Sequence, residues 1–367
     1  MKSLFSAATL AILSLAAVAP PSRAAASGAE APPASAPPAS DPAGVDVSTP
    51  EGVFAALADE LRTTPLTPEQ LSAARATIDA AIGAAPNDAR WITCQAVLMR
   101  GQGKNQDVAD LMEKAVRLAP DNPRVQMWYG TSIFENMDNI GMFGKLGAAE
   151  RAEEAYLKAI ELDPKYATPH QGLVQFYANA PGIAGGSLKK ARKHAAALMA
   201  IGGRFTSDGH TLMAMIAAKD EDWDLAASEH RLASETALDA AGKARALGGL
   251  GLMLVRDRGD AQAALKVAEE LGAVAPADDT TRDFIRGLAH QKLEQHAEAA
   301  ADFRRVIEKN PNAVNSRFAL GECLEKSGDK AGAAEAFEAF AAKFPSDKRA
   351  GDAASRAKKL RKSLNAR

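Results

Sequence analysis

Between Asn312 and Lys326, apolar or small side chains fall at Val314, Phe318, Leu320, Gly321 and Leu324, a spacing that lines one face of a helix. Ser327-Gly328-Asp329 breaks the pattern, and Lys330 to Phe344 predicts a second helix. Pro345 stops that helix, because proline lacks an N–H and its ring clashes with the preceding turn. The same hairpin is written one unit earlier. Gly287, Ala299, Phe303 and Pro311 repeat the positions of Gly321, Ala333, Phe337 and Pro345, with Gly to Ala 12 residues, Ala to Phe 4 and Phe to Pro 8. Pro311 and Pro345 are 34 apart, as are Pro86 and Pro120, while Pro276 to Pro311 is 35. A period of this length reads as stacked helix-turn-helix units, each burying its apolar face against the next.

Gly321 and Ala333 mark where the two helices of the last hairpin cross most closely, and Phe337 fills the gap beside it. Leu320-Gly321, Leu324, Gly328, Ala333, Phe337 and Pro345 together resemble the tetratricopeptide repeat pattern. Gly287, His290, Ala299, Phe303 and Pro311 follow it, as do Ala96, Gly103, Ala115 and Pro120, and Tyr129-Gly130, Ala152, Tyr156, Ala159 and Pro164. Units around Leu173/Ala191, Ala214/Trp223/Ala226 and Leu250-Gly251/Ala264/Pro276 are more diverged. The resemblance covers roughly residues 50 to 346. It implies an all-α, right-handed α-solenoid of about seven to eight hairpins over residues 51–346, closed by a basic cap helix over 347–367. The first hairpin, Glu51 to Arg62 plus Pro68 to Ala84, lacks the Leu-Gly pair and reads as an atypical capping unit.

The N-terminal end has a different composition. Lys2, the short apolar run Leu4 to Val18 and the small residues Ala24-Ala25-Ala26 read as a secretory signal over residues 1–26, cleaved near Ala26. An uncleaved anchor is the alternative. Residues 27–50, rich in Ala, Pro and Ser, read as a disordered linker. Together these place the chain outside the cytoplasm, in a bacterial periplasm or envelope. Removing residues 1–26 takes Lys2 and Arg23 from 44 basic residues and leaves 42 against 46 acidic, a net charge of about -4 that gives no support for nucleic-acid binding. Cys94 and Cys323 are the only cysteines, on separate predicted helices, and read as buried small apolar residues.

No catalytic constellation, cofactor motif or metal-ligand spacing emerges, so the chain reads as a non-catalytic scaffold for a protein or peptide partner. His290 and His296 are six apart, not the i, i+4 pair of one helix face, and His290 takes the repeat's aromatic position. Gly141 to Leu146 lacks the phosphate-loop spacing.

Two insertions depart from the repeat. Gly130 to Ala152 spans 22 residues where the unit needs 12, with the excess around 139–147. Leu173 to Ala191 spans 18 where it needs 13, with the excess within 178–186. Both predict loops on one rim, where insertions in repeat proteins often bind. Met142, Phe143, Lys145, Tyr177, Asn179, Pro181, Gly185, Gly186 and Ser187 are the candidate partner-contacting edge. The N–H groups of Gly185, Gly186 and Ser187 are candidates for an anionic group, and Ser187 for a helix cap. The competing reading is that the insertions enclose a small molecule.

The concave groove is the second candidate, with its lining implied by the resemblance. It comprises Arg90, Thr93, Val97, Arg100, Arg124, Met127, Thr131, Phe134, Glu135, Gln171, Gln175 and Asn179, then Met215, Lys219, Arg245, Arg256, Phe284, Lys292, Phe318 and Glu322. Arg90 and Arg124 are the expected contacts for an acidic segment. Lys348, Arg349, Arg356, Lys358, Lys359, Arg361 and Lys362 make the terminal helix basic, with an anionic membrane or cell-wall surface as its alternative partner.

Overall fold

Thr67 opens the first complete helix of the structure, a computed structural model that describes residues 49–53, 67–100, 102–275 and 279–365, apart from the side chains of 142, 143 and 279. The Thr67 hydroxyl accepts from the Gln70 N–H at 3.2 Å, while the Gln70 side chain accepts from the Thr67 N–H at 2.9 Å. This reciprocal cap satisfies two N–H groups that have no partner within the helix. Helix α1 then runs Pro68–Ala84, followed by α2 Ala89–Met99, α3 Asn105–Leu118, α4 Pro123–Glu135, α5 Met142–Leu162, α6 Ala167–Asn179 and α7 Leu188–Ile201. The second half holds α8 Arg204–Lys219, α9 Trp223–Thr236, α10 Ala240–Met253, α11 Ala261–Val274, α12 Asp279–Lys292, α13 His296–Lys309, α14 Val314–Lys326, α15 Lys330–Lys343 and α16 Ala350–Asn365. The described residues contain no strand, and none of their helices is long and apolar enough to cross a membrane. The fold is an all-α repeat of helical hairpins, with α2, α4, α6, α8, α10, α12 and α14 as first helices. The proposed signal and nearly all of the linker lie outside the described residues, as do most of the first predicted helix and Pro276.

The chain divides into two units between Leu198 and Met199, inside α7. In the first, Asp88 and Asn122 cap α2 and α4 through their side-chain oxygens. In the second, Asp222, Asp260 and Asp329 do the same for α9, α11 and α15. Asp and Asn recur there because an unpaired N–H in the first turn is costly.

Small residues hold the hairpins closed, as the repeat pattern requires. A Cβ on Gly287 would stand 2.7 Å from the Phe303 ring, and one on Gly321 2.6 Å from the Phe337 ring. Phe303, Phe337 and Phe340 are fully buried. Cys94 and Cys323 are buried free thiols, and burial pushes them up to about 12 and about 11, so both are protonated.

Both insertions are built into the fold more firmly than predicted. The stretch 139–147 is not a free loop. A 3-10 turn at Met137–Asn139 leads into α5, which starts at Met142, so most of the extra residues lengthen the second helix to 21 residues. Gly144 permits the entry, since a Cβ there would lie 2.9 Å from Ile140 Cγ2.

Candidate functional site

The second insertion forms a pinned turn. After α6, a 3-10 turn at Gly182–Ala184 leads to α7. Gly185 N–H donates to Gly182 O at 3.1 Å, Gly186 N–H to Pro181 O at 3.1 Å and Ser187 N–H to Tyr177 O at 2.8 Å. The three N–H groups predicted to receive an anion are therefore consumed by the turn itself. Ser187 does cap α7, its hydroxyl accepting from Lys190 N–H at 3.3 Å.

Tyr177 is likewise engaged within the fold. It is 2 % exposed, and its hydroxyl donates to Glu153 at 2.7 Å, in a site whose burial raises its pKa. Lys190 binds the same Glu153 at 2.9 Å and lies 4.8 Å from the Tyr177 ring, locking the turn to α5. Asn179 donates to Gln175 O at 2.7 Å. Lys145 and Pro181 are half-buried, while Ile183 at the tip is 86 % exposed. Met142 and Phe143 form the first turn of α5, and their side chains lie outside the described residues.

In the first unit the groove positions are closed. Thr93, Val97, Met127, Thr131, Phe134, Glu135 and Gln175 are all buried. Their partners lie across neighbouring helices. Arg100 forms a short ion pair with Glu135 and covers the Trp128 ring at 4.5 Å. Thr131 Oγ1 is 2.9 Å from Tyr156 Oη, and the Phe134 ring packs 5.1 Å from Phe176. A recess lined by Ala96, Val97, Arg100, Val108, Met112, Trp128, Ser132 and Glu135 has no room for a water molecule. Arg90 and Arg124 remain exposed, but Arg90 is held by Asp88 at 2.8 Å.

In the second unit several corresponding positions are only partly buried. Met215 on α8, Leu252 on α10, Phe284 and Leu288 on α12, and Phe318 on α14 are all half-exposed. Side chains of successive first helices meet there: Arg245 lies 3.7 Å from Asp208, and the Arg256 guanidinium lies 5.2 Å over the Phe284 ring. Arg256 stands on a π turn, Leu254–Arg258, that ends α10 before a left-handed Gly259. At the C-terminal end the floor is capped, with Arg349 5.1 Å and Arg356 5.8 Å from the Phe318 ring. Arg356 also binds Glu322 at 3.3 Å and makes a short contact with Glu325. Arg361 pairs with Glu338 at 3.0 Å, so the terminal helix spends its arginines on the protein itself.

Histidine partners were invisible as sequence spacing. His170 Nδ1 and His194 Nδ1 are 3.0 Å apart in the core of the first unit, where burial lowers both and takes His194 to about 4. In the second unit His210 is 2.7 Å from Glu229, and His290 is 2.6 Å from the buried Asp302, which Arg286 also pairs at 3.3 Å. His290 therefore makes a polar contact with a buried carboxylate, and burial lowers its pKa. Among the described residues no group of three or more His, Cys, Asp or Glu is placed to hold a metal ion.

Leu252, Leu288 and Lys326 escaped the sequence reading, although each stands in the same register as a named groove residue. Glycines 251, 287 and 321 set that register.

A repeated helical hairpin with a half-exposed apolar stripe defines the class, and comparison places it among known repeats. Residues 95–167 and 286–348, together under half of the chain, match the tetratricopeptide repeat family. No curated protein matches the chain in sequence. Among solved structures, yeast Tom70 is similar at 13% identity and TM-score 0.63, over 88% of this chain and 66% of that one. A tetratricopeptide repeat protein from Parabacteroides merdae aligns at 15% identity and TM-score 0.49, over 75% and 98% respectively. A chain of the APC/C hetero-tetramer Cut9–Hcn1 aligns at 13% and 0.46, over 86% of this chain. This protein spans 57% of that chain and 66% of the Tom70 chain. At these identities the Tom70 likeness concerns the fold alone.

Proposed function

We propose that the protein is a non-catalytic scaffold whose protein or peptide partner docks on the first-helix face of the second unit. One observation carries this reading: Val97 and Thr131 are buried in the first unit, whereas Leu252 and Leu288, at the same repeat position, are only partly buried in the second. Half-exposed Leu252, Phe284 and Leu288 leave apolar surface in water, and covering it is favourable by about 25 cal/mol per Å². The Arg256 guanidinium beside Phe284 adds a polar group able to orient a bound chain.

The rim reading is narrower than the sequence implied. With the N–H groups of 185–187 consumed and Tyr177 buried, it retains Ile183 and, on α7, Lys189 and Lys193. The enclosed-ligand alternative would need space that α5 and the pinned turn fill with protein. The exported setting rests on residues 1–26 alone. The tetratricopeptide repeat match over residues 95–167 and 286–348 supports a partner-binding role. A cross-linking side chain at Leu288 tests the proposal: it should capture a defined protein in the source cells.

A further inference from the structure

Near the C-terminal end of each first helix in the second unit stands a cation with no ion pair among the described residues: Lys219 on α8, Arg256 on the π turn after α10, Lys292 on α12 and Lys326 on α14, while Arg258 of the same π turn pairs with Asp224 at 2.7 Å. All four are exposed. Cations near a helix C-terminus suit the helix dipole, but that alone does not account for the row. Helices α4 and α6 have no basic residue in their last turns, and Arg100, which ends α2, is paired with Glu135.

The carboxylates that follow the row are already engaged. Asp222 accepts from Leu225 N–H at 3.1 Å, Asp260 from Ala263 N–H at 3.0 Å and Asp329 from Gly332 N–H at 2.9 Å. These three carboxylates are held by backbone N–H groups and form no ion pair with the row. Lys219, Lys292 and Lys326 each stand three residues before the N-cap of the next helix, whereas Arg256 stands four before Asp260. The π turn takes up that extra residue and keeps Arg256 against Phe284, so the row continues across the irregularity.

Resting on the groove reading above, we infer that the row sets the register of an extended acidic segment, with one carboxylate per repeat. Packed helices stand about 8–10 Å apart, and an extended chain advances about 3.3 Å per residue. One repeat therefore corresponds to about three residues of ligand. The fitting partner is an extended chain with Asp or Glu at every third position and apolar side chains between them. The apolar groups lie on Leu252, Phe284 and Leu288, while the carboxylates meet the cations.

The test uses two synthetic peptides of about twelve residues and equal composition, one with Glu at every third position among Leu and Ser, the other with its Glu contiguous. At low salt the spaced peptide should bind the full chain at least about tenfold more tightly, a gap that closes in 1 M salt, where the Debye length is about 3 Å. The gap should also vanish for the chain carrying K219E, R256E, K292E and K326E, with circular dichroism confirming its helices. Equal binding of the two peptides overturns the register while leaving the groove, provided Leu288→Ser weakens both. If neither binds while a cross-linker at Leu288 still captures a protein, the cations are not the recognition element. If neither binds and nothing is captured, the groove reading falls too.

Discussion

The Phe337 ring lies on Gly321, so that a Cβ at residue 321 would stand 2.6 Å from Cε1 and 2.7 Å from Cδ1 of the same ring. Phe337 is fully buried, and Arg356 of α16 closes its other side at 4.4 Å, so the ring cannot retreat freely. Overpacking of this kind costs about 1–3 kcal/mol. Gly321→Ala should lower the urea midpoint accordingly, and Phe337→Leu in the same chain should recover part of the loss. Additive losses in the double variant would contradict the contact.

Gly186 and Gly182 sit in one turn but differ in what a side chain would meet. At 186 a Cβ would fall 1.8 Å from Ala180 O, a backbone atom, whereas at 182 nothing lies within 4 Å. Gly186→Ala should destabilise by roughly 2 kcal/mol or more, because backbone must move. Gly182→Ala should stay within about 0.5 kcal/mol of the parent. Equal effects in thermal melts would show that the turn is not pinned as described.

His170 and His194 share one hydrogen bond through their Nδ1 atoms, so one ring carries its proton on Nδ1 while the other leaves Nδ1 bare. Burial lowers the folded pKa of His194 to about 4, below its ordinary value of about 6.5. Between these values the unfolded chain binds more protons, so stability is lost as pH falls from about 6.5 to about 4. His230 in the second unit is held at about 4 by burial and adds to the same window. Imidazole nitrogen NMR at pH 5.5 should find His194 neutral and the two rings of the pair in opposite tautomers. A charged His194 at that pH would contradict the buried pair.

Repeat packing was legible because glycine and proline positions encode it directly: Gly287, Gly321 and Pro345 sit where a ring presses or a helix must stop. The insertions were misread for an equally physical reason. Gly141, Gly144 and Gly147 look like loop residues, yet Gly144 serves to admit Ile140 while α5 is already under way. The anion site failed at Gly185, Gly186 and Ser187 because sequence does not reveal which carbonyls a turn will offer its own N–H groups. The groove failed only in part. Thr93 and Phe284 share one repeat position, and a single repeat unit does not determine how far neighbouring helices cover it.

The most direct measurement places one photoreactive side chain at Leu288 and another at Glu113, the exposed outer surface of α3, and compares the proteins captured in the source cells. A docking face on the second unit predicts one defined protein cross-linked from 288 and not from 113, lost when Phe284 is changed to Ala. Capture of the same protein from 113 alone, or its persistence in Phe284→Ala, would contradict that face as the binding surface.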